Sequence, residues 1–147
     1  MKAYIAGPFF NEDQLKSMER LEDVLRRNHV SMFRPRFDAG QIKNMKNATN
    51  EDLRNVFEDD IHGIDTCDFI IANLTYKDTG TAFELGYAYA TNKPVVLFNE
   101  EGISGKTVNL MLAAVADAYY NNLVELSDAL RTNNLDSKIT GERLDIE

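Results

Sequence analysis

Short β-rich segments alternate with segments of helical periodicity along the chain, and this alternation constrains the fold more than any other feature of the sequence. The predicted strands are KAYIAG, HVSMFRP, CDFIIANL, KPVVLF and AYY, with helical segments between them and after the last one. Strands that alternate with helices form βαβ units, in which the strands are parallel and helices cover both faces of the sheet. The sequence therefore predicts a doubly wound (Rossmann- or flavodoxin-like) α/β fold with a five-stranded parallel sheet.

The length of 147 residues suits one domain, over residues 1–147, with a single sizeable core. Hydrophobic residues make up 44% of the chain, yet no apolar run approaches the roughly 20 residues that a membrane span needs. The first ten residues, MKAYIAGPFF, lack the long apolar core of a signal peptide. We therefore expect a soluble, cytoplasmic protein with no membrane partner.

Charge and composition exclude several classes of function. The net charge of −8 argues against a nucleic-acid partner, because phosphate binding relies on clustered lysine and arginine. Cys67 is the only cysteine, which excludes an intrachain disulfide and a cysteine-based zinc site. His29 and His62 have no partners at metal-ligand spacing, and His62 is expected on a helix surface. The chain has no G-x-G-x-x-G or G-x-S-x-G motif, and the glycines of EGISGKT are too close together for a P-loop.

Ligands of open parallel sheets bind beyond the carboxyl ends of the strands. In this chain that edge carries the loop that begins at Gly7, a long loop over 36–50, the loop over 76–80 and the loop after Phe98. Functional side chains are expected in these loops and at the helix ends that follow them.

One carboxylate interrupts an apolar stripe of the predicted helix NEDLRNVFEDDIHGID. The stripe consists of five apolar residues at helical spacing, namely Leu53, Val56, Phe57, Ile61 and Ile64. Asp60 lies on the same stripe, and a carboxylate that faces a core is costly unless it is paired or hydrogen-bonded. Either the stripe ends there and Asp60 is solvated or paired with Arg54, or Asp60 faces a polar pocket. The adjacent Asp59 lies off the stripe and is expected on the surface.

The stretch DTGTAFELGYAYA contains two further carboxylates, Asp78 in a loop and Glu84 in an apolar helical run. Thr81 to Glu84 fit a capping box, in which the glutamate bonds the first amide of its own helix. Alternatively, Glu84 is a reactive group in a pocket, and the bend at Gly80 brings Asp78 to the same edge. The helix dipole would then keep Glu84 ionised, as a nucleophile requires, while Asp78 holds the proton. Two carboxylates in split roles are typical of glycosyl transfer.

Four motifs occur together in one order: YIAGPFF at the end of the first strand, DDIHGID, DTGTAFELGYA and VNLM. Together they resemble the nucleoside 2-deoxyribosyltransferases, and the resemblance covers residues 2–128. It implies an enzyme of nucleotide salvage that transfers a 2-deoxyribosyl group between nucleobases. The substrates are then 2′-deoxynucleosides and free nucleobases, and no metal or organic cofactor is needed.

The resemblance also implies roles for individual residues. Glu84 takes the position of the nucleophile, and Asp78 that of the acid that manages the proton of the nucleobase. Tyr4 matches a tyrosine whose hydroxyl lies near the nucleophile. Asp60 matches a second aspartate at the base-binding end. These four residues are the centre of the predicted site.

Substrate contacts from a second subunit are implied as well. Asn109 matches an asparagine that binds the sugar in the site of a neighbouring subunit, and Met111 lies beside it. The active site is then shared, and the protein is a homo-oligomer, either a dimer or a hexamer built from dimers.

Two loops supply the remaining predicted substrate contacts. In the loop that begins at Gly7, Phe9 and Phe10 are either a stacking wall for the base or ordinary core and rim aromatics. In RPRFDAGQ, Asp38 and Gln41 match base contacts of the family, although the spacing there differs.

The resemblance predicts a double displacement with retention at the anomeric carbon, through a covalent deoxyribosyl ester of Glu84. Two alternatives stay open at this point. One is an N-glycosidase that hydrolyses deoxynucleosides or their 5′-phosphates, although the apolar and acidic loop GPFFNED disfavours phosphate. The other is a non-catalytic nucleoside-binding module, because fold alone does not determine function.

Overall fold

The computed structural model describes residues 1–100, 107–135 and 145–146. The strands are β1 (Lys2–Ala6), β2 (Ser31–Phe33), β3 (Phe69–Asn73), β4 (Val95–Phe98), β5 (Thr107–Val108), β6 (Ala118–Tyr120) and β7 (Asp145–Ile146). The helices are α1 (Glu12–Arg27), α2 (Pro35–Asp38), α3 (Asn50–Thr66), α4 (Thr79–Ala90), α5 (Leu110–Val115) and α6 (Leu123–Arg131), with one 3-10 turn over Met45–Asn47.

The central sheet has five strands in the order β2-β1-β3-β4-β6, and each adjacent pair is parallel. This confirms the predicted doubly wound α/β fold. The chain builds the sheet outward in two directions from β1 and β3. Such a reversal of strand order opens a crevice at the carboxyl ends of the two central strands, where ligands of this architecture bind.

Side chains of successive strand residues point to opposite faces of the sheet and form two cores. Ala3 and Ile5 of β1 pack with α1 and α6 on one face. Tyr4 and Ala6 pack on the other face, with residues of α3, α4 and α5. All five residues of β3 are buried, as expected for a central parallel strand. A tyrosine in the middle of β1 is therefore directed towards α3 and α4.

Polar side chains mark where the helices begin. Asn11 caps α1 by accepting a hydrogen bond from the Gln14 amide. Thr49 and Asp52 form a reciprocal capping box at the start of α3. None of the helices over the described residues has the length and hydropathy of a membrane span.

The helical segment that the sequence predicts between KPVVLF and AYY, GKTVNLMLAAVAD over 105–117, is wrong in its bounds. Residues 107–108 form β5, which pairs with β7, and the helix covers only Leu110–Val115. Asn109 determines this start, because its side chain accepts a hydrogen bond from the Met111 amide and so caps α5. Residues 105–106 lie outside the described part of the chain.

Two further expectations need correction. The long loop over 36–50 contains the short helix α2 and the 3-10 turn. The apolar stripe of α3 is buried only towards its end, since Ile64 is fully buried while Leu53 and Phe57 are 46% and 43% exposed. Phe57 instead contacts the exposed Phe83 of α4, with 5.8 Å between ring centroids. The first half of α3 thus leaves an apolar strip on the surface.

Candidate active site

Tyr4 on β1 and Glu84 on α4 are joined by a hydrogen bond. The Tyr4 hydroxyl donates to Glu84 Oε1 over 2.7 Å, although the two residues are 80 positions apart in sequence. The tyrosine is fully buried, and its ring stacks on Phe33 with 5.5 Å between centroids. Because the ring is buried and stacked, the hydroxyl has a fixed position from which it orients the carboxylate.

Glu84 does not cap its own helix. The N-cap of α4 is Asp78, whose Oδ2 accepts hydrogen bonds from the amide and the hydroxyl of Thr81, each over 2.7 Å. Glu84 lies six residues later, in the second turn, out of reach of the first amides. The capping-box interpretation is therefore wrong, and the carboxylate of Glu84 remains available for chemistry.

Asp60 of α3 lies near the same hydroxyl. It is partly buried, and its Oδ1 is enclosed without a hydrogen-bond partner in the described part of the chain. Its negative charge acts on both Tyr4 and Glu84. The neighbouring Asp59 is exposed, as predicted, and accepts a hydrogen bond from the Gly40 amide. Asp60 therefore interacts with Tyr4 and Glu84, and the interpretation in which it faces a polar pocket stays a prediction.

Burial alters the protonation of this cluster. It raises the pKa of Glu84 to about 8, against the lowering effect of the Tyr4 hydrogen bond and with added repulsion from Asp60 and Asp78. It also raises the pKa of Asp60 to about 6. The expectation that the helix dipole keeps Glu84 ionised is therefore wrong. A position in the second turn gains little from the dipole, and desolvation together with two acidic neighbours outweighs it.

Tyr4 itself remains a hydrogen-bond donor. Burial, followed by the charges of Glu84 and Asp60, raises the pKa of its hydroxyl far above the ordinary value. A tyrosine that does not ionise cannot act as a base here. Its hydroxyl donates a hydrogen bond to Glu84, and this bond is stronger when the Glu84 carboxylate is ionised.

Gly7 lies in the crevice between β1 and β3. Its φ of 151° is a conformation that favours glycine, and a Cβ there would lie 2.7 Å from Met18 Sδ. Next to it, Phe9 and Phe10 form a ring pair with 5.1 Å between centroids, and Phe10 is 74% exposed. The exposed ring is at the predicted edge, and its contact with a base stays a prediction.

Asn109, Met111 and Asp78 line a common cavity of about 720 Å³ between α4 and α5. Most of its other lining residues are apolar, and Met111 is 68% exposed. Tyr4, Glu84 and Asp60 do not line this cavity. Asp78 is therefore the residue that connects the carboxylate cluster with the surface that carries Asn109.

Asp38 and Gln41 are engaged with the backbone of their own loop. Asp38 Oδ2 accepts a hydrogen bond from the Arg34 amide over 2.7 Å, and the Gln41 amide donates to the Arg36 carbonyl. Both side chains are exposed. Their proposed contacts with a base stay predictions.

A buried ion pair that the sequence analysis missed holds this loop against α1. Glu22 is 2% exposed and accepts two hydrogen bonds from the Arg36 guanidinium, with Arg34 as a further cationic neighbour. The sequence did indicate a buried acid at this position. Glu22 lies four residues after Met18 and immediately after Leu21, both on the buried side of α1. It is the same pattern of an acid on a core-facing stripe that indicated Asp60.

The fold and the site together define an α/β enzyme class, with a buried tyrosine and a cluster of carboxylates at the carboxyl edge of a parallel sheet. No cluster of residues that could hold a metal ion occurs among the described residues. Residues 3–111 match the family Nucleoside 2-deoxyribosyltransferase. The chain belongs to this family, and it is an enzyme of the deoxyribosyltransferase type whose substrates are nucleosides and nucleobases.

A solved 2-deoxyribosyltransferase from the psychrotolerant bacterium Bacillus psychrosaccharolyticus is similar over almost the whole chain. It is 33% identical, with a TM-score of 0.79, and the match covers 95% of this chain and 100% of that one. No curated protein sequence matches significantly.

Two more distant structures share the fold. A conserved protein from Enterococcus faecalis V583 is 19% identical, with a TM-score of 0.73, over 90% of this chain and 98% of that one. The CMP N-glycosidase BcmB of Clostridium botulinum is 20% identical, with a TM-score of 0.55, over 88% of this chain and 98% of that one.

Proposed function

We propose that this protein transfers a 2-deoxyribosyl group between nucleobases through a covalent ester on Glu84. The observation that supports the proposal is the hydrogen bond from Tyr4 to Glu84, which fixes the orientation of the Glu84 carboxylate. Asp60 and Asp78 lie close enough for their charges to act on Glu84. Salvage of nucleobases in the cytoplasm is the corresponding physiological role.

In the first step, a Glu84 carboxylate oxygen bonds to the anomeric carbon as the bond from that carbon to the base nitrogen breaks. The electron pair of the broken bond goes to the base, and Asp78 delivers a proton to it directly or through water. In the second step, a nitrogen of the incoming base attacks the anomeric carbon and displaces the carboxylate, and the proton of that nitrogen returns to Asp78. Two inversions give net retention, and the kinetics are ping-pong.

The raised pKa of Glu84 fits this sequence of steps. A carboxylate that is costly to ionise in the free protein is a stronger base and a better nucleophile once it has lost its proton. The oxocarbenium-like transition state carries positive charge, which the anions of the cluster stabilise. Tyr4 keeps the attacking oxygen in place while this charge develops.

We further propose that Asn109 and Met111 complete the site of a second copy of this chain. The exposed apolar residues of α4 and α5, which include Tyr89, Leu110 and Met111, suit an isologous contact. The protein would then be a dimer, or a hexamer built from dimers.

A transfer assay tests the reaction. The protein is incubated with deoxyadenosine alone and with deoxyadenosine plus cytosine, and products are separated by chromatography. We expect deoxycytidine only in the second tube, with no product in either tube for Glu84→Ala. Free adenine at equal rates in both tubes would identify an N-glycosidase, and ligand binding without turnover would identify a binding module.

A mixing experiment tests the shared site. Glu84→Ala and Asn109→Ala are each purified, unfolded together and refolded as a mixture. If Asn109 serves its neighbour, mixed dimers contain one intact site, and activity returns to about a quarter of the wild-type value for random pairing of two subunits. If Asn109 acts within its own chain, the mixture stays as inactive as its components.

A further inference from the structure

Three buried polar residues and the partly buried Glu100 close a ring of hydrogen bonds beside the crevice. Asn73 Nδ2 donates to Ser17 Oγ over 2.9 Å, and Ser17 Oγ donates to Glu100 Oε2 over 2.8 Å. The Glu100 amide donates to Thr75 Oγ1 over 3.0 Å, and Thr75 Oγ1 donates to Asn73 Oδ1 over 2.5 Å. Arg20 holds Glu100 from outside through two further hydrogen bonds.

Every hydroxyl in this ring donates once and accepts once, so the four bonds run in one direction. Ser17, Asn73 and Thr75 are 1%, 2% and 5% exposed, respectively. Hydrogen bonds that are buried and linked in this way polarise and strengthen one another, so the loss of one member weakens the others. A buried ring of this kind fixes the backbone that carries it more firmly than separate surface bonds do.

The ring joins three elements at the carboxyl edge of the sheet. Ser17 comes from α1, Asn73 is the last residue of β3, and Glu100 follows β4. Thr75 is the second residue of the loop that leads to Asp78 three residues later, and Asp78 caps the helix that bears Glu84. The ring therefore fixes the origin of the loop on which Asp78 sits.

We infer that the ring of Ser17, Asn73, Thr75 and Glu100 positions Asp78 for proton delivery to the departing base. None of these four residues needs to contact substrate, so they are positioning residues. The inference rests on the proposed function, because it assigns the ring to the step in which Asp78 protonates the base. Glu84 lies two turns further along α4 and is held separately by Tyr4.

Two substrates separate this role from a general structural one. Deoxyadenosine needs a proton on its departing base, whereas 7-methyl-2′-deoxyguanosine already carries a positive charge on the base and releases it neutral. Thr75→Val removes the hydroxyl without changing the size of the side chain. We expect it to slow release of adenine about tenfold or more with little change in KM, and to leave release of 7-methylguanine close to the wild-type rate.

Matched variants complete the experiment. Thr75→Ser keeps the hydroxyl and should restore both rates, and Ser17→Ala should reproduce the selective loss from the α1 side of the ring. Thr132→Val removes a hydroxyl that caps α6 far from the site, and it should change neither rate. Equal slowing of both substrates by Thr75→Val and Ser17→Ala, or no slowing of either, would overturn the inference. The proposed function is checked separately, since Glu84→Gln should release neither base.

Discussion

The hydroxyl of Tyr4, on the first strand, and the carboxylate of Glu84, on the fourth helix, are 2.7 Å apart across 80 residues of sequence. The tyrosine is buried on its strand and stacked on Phe33, whereas the glutamate is held by this bond and by the burial of its helix. The contact therefore orients the Glu84 carboxylate, and it lowers the pKa of Glu84 against the larger raising effect of burial. Four predictions about activity follow from it.

The rate of transfer should rise with pH up to about the pKa of Glu84. Since burial raises that pKa to about 8, the free protein holds the carboxyl mostly protonated at neutral pH. If the ionised form attacks, kcat/KM should increase roughly fiftyfold between pH 6 and pH 8. Initial rates over this range, with a substrate that does not itself titrate there, measure the effect.

Asp60→Asn should move this rise to lower pH, because the Asp60 charge is one of the causes that raise the pKa of Glu84. Asp59→Asn removes an exposed charge from the adjacent position and is the matched control, with an unmoved profile expected. A profile that moves equally in both variants would contradict a direct effect of Asp60 on Glu84.

Glu84→Gln should abolish transfer and stabilise the fold at alkaline pH. A carboxyl whose pKa is raised on folding supports the folded state below its unfolded value, near 4.5, and this support is lost as the pH rises towards about 8. The neutral amide avoids that loss, so we expect a gain of about 4 kcal/mol in the free energy of unfolding at pH 8. Urea unfolding at pH 5 and pH 8 measures it.

The difference between wild type and Glu84→Gln should be smaller at pH 5 than at pH 8. A gain of equal size at both pH values would mean that the carboxyl does not titrate differently in the folded protein. Loss of the fold in this variant would instead show that Glu84 is needed for structure.

Tyr4→Phe should lower kcat by roughly ten- to a hundredfold while the protein stays folded. The ring and its stacking on Phe33 are kept, but Glu84 loses the donor that orients it and lowers its pKa. The pH profile should therefore move to higher pH as well. Tyr87→Phe, which removes a hydroxyl that donates to Asp65 on the surface, is the control and should leave kcat unchanged.

Glu22→Ala should destabilise the protein by about 3 to 5 kcal/mol, because it leaves the Arg36 guanidinium without its buried partner. Asp23→Ala breaks two surface ion pairs, with Arg26 and Arg27, and should cost under about 1 kcal/mol. Urea unfolding of the two variants compares them directly. Similar losses in both would contradict the assignment of Glu22 as the anchor of the loop over 36–50.

Sequence patterns predicted the sheet because the strands are short apolar runs and most of them are followed by a segment of helical periodicity. They also indicated Asp60, since an acid on an apolar stripe has to be explained by its surroundings. They did not determine the state of Glu84. The dipole argument uses only local sequence, whereas the pKa depends on burial and on acids that α3 and the loop before α4 bring close.

The same limit explains the missed ion pair and ring. Glu22 meets Arg36 only after β2 has paired with β1, and Ser17 meets Asn73 across 56 residues. Contacts of this range follow from the packing of helices on the sheet. The predicted bounds of α5 are wrong for a local reason. Asn109 caps the helix, whereas the pattern of apolar residues continues through it.

The separation of Tyr4, Asp60 and Glu84 along the chain has a consequence for how the protein acquires activity. Tyr4 comes from the first strand, Asp60 from the third helix and Glu84 from the fourth helix. These side chains can meet only after β1 has paired with β3. During refolding, turnover should appear only after that long-range pairing has formed, later than helix content or collapse. The time at which enzyme activity appears during refolding would therefore report when β1 and β3 have paired.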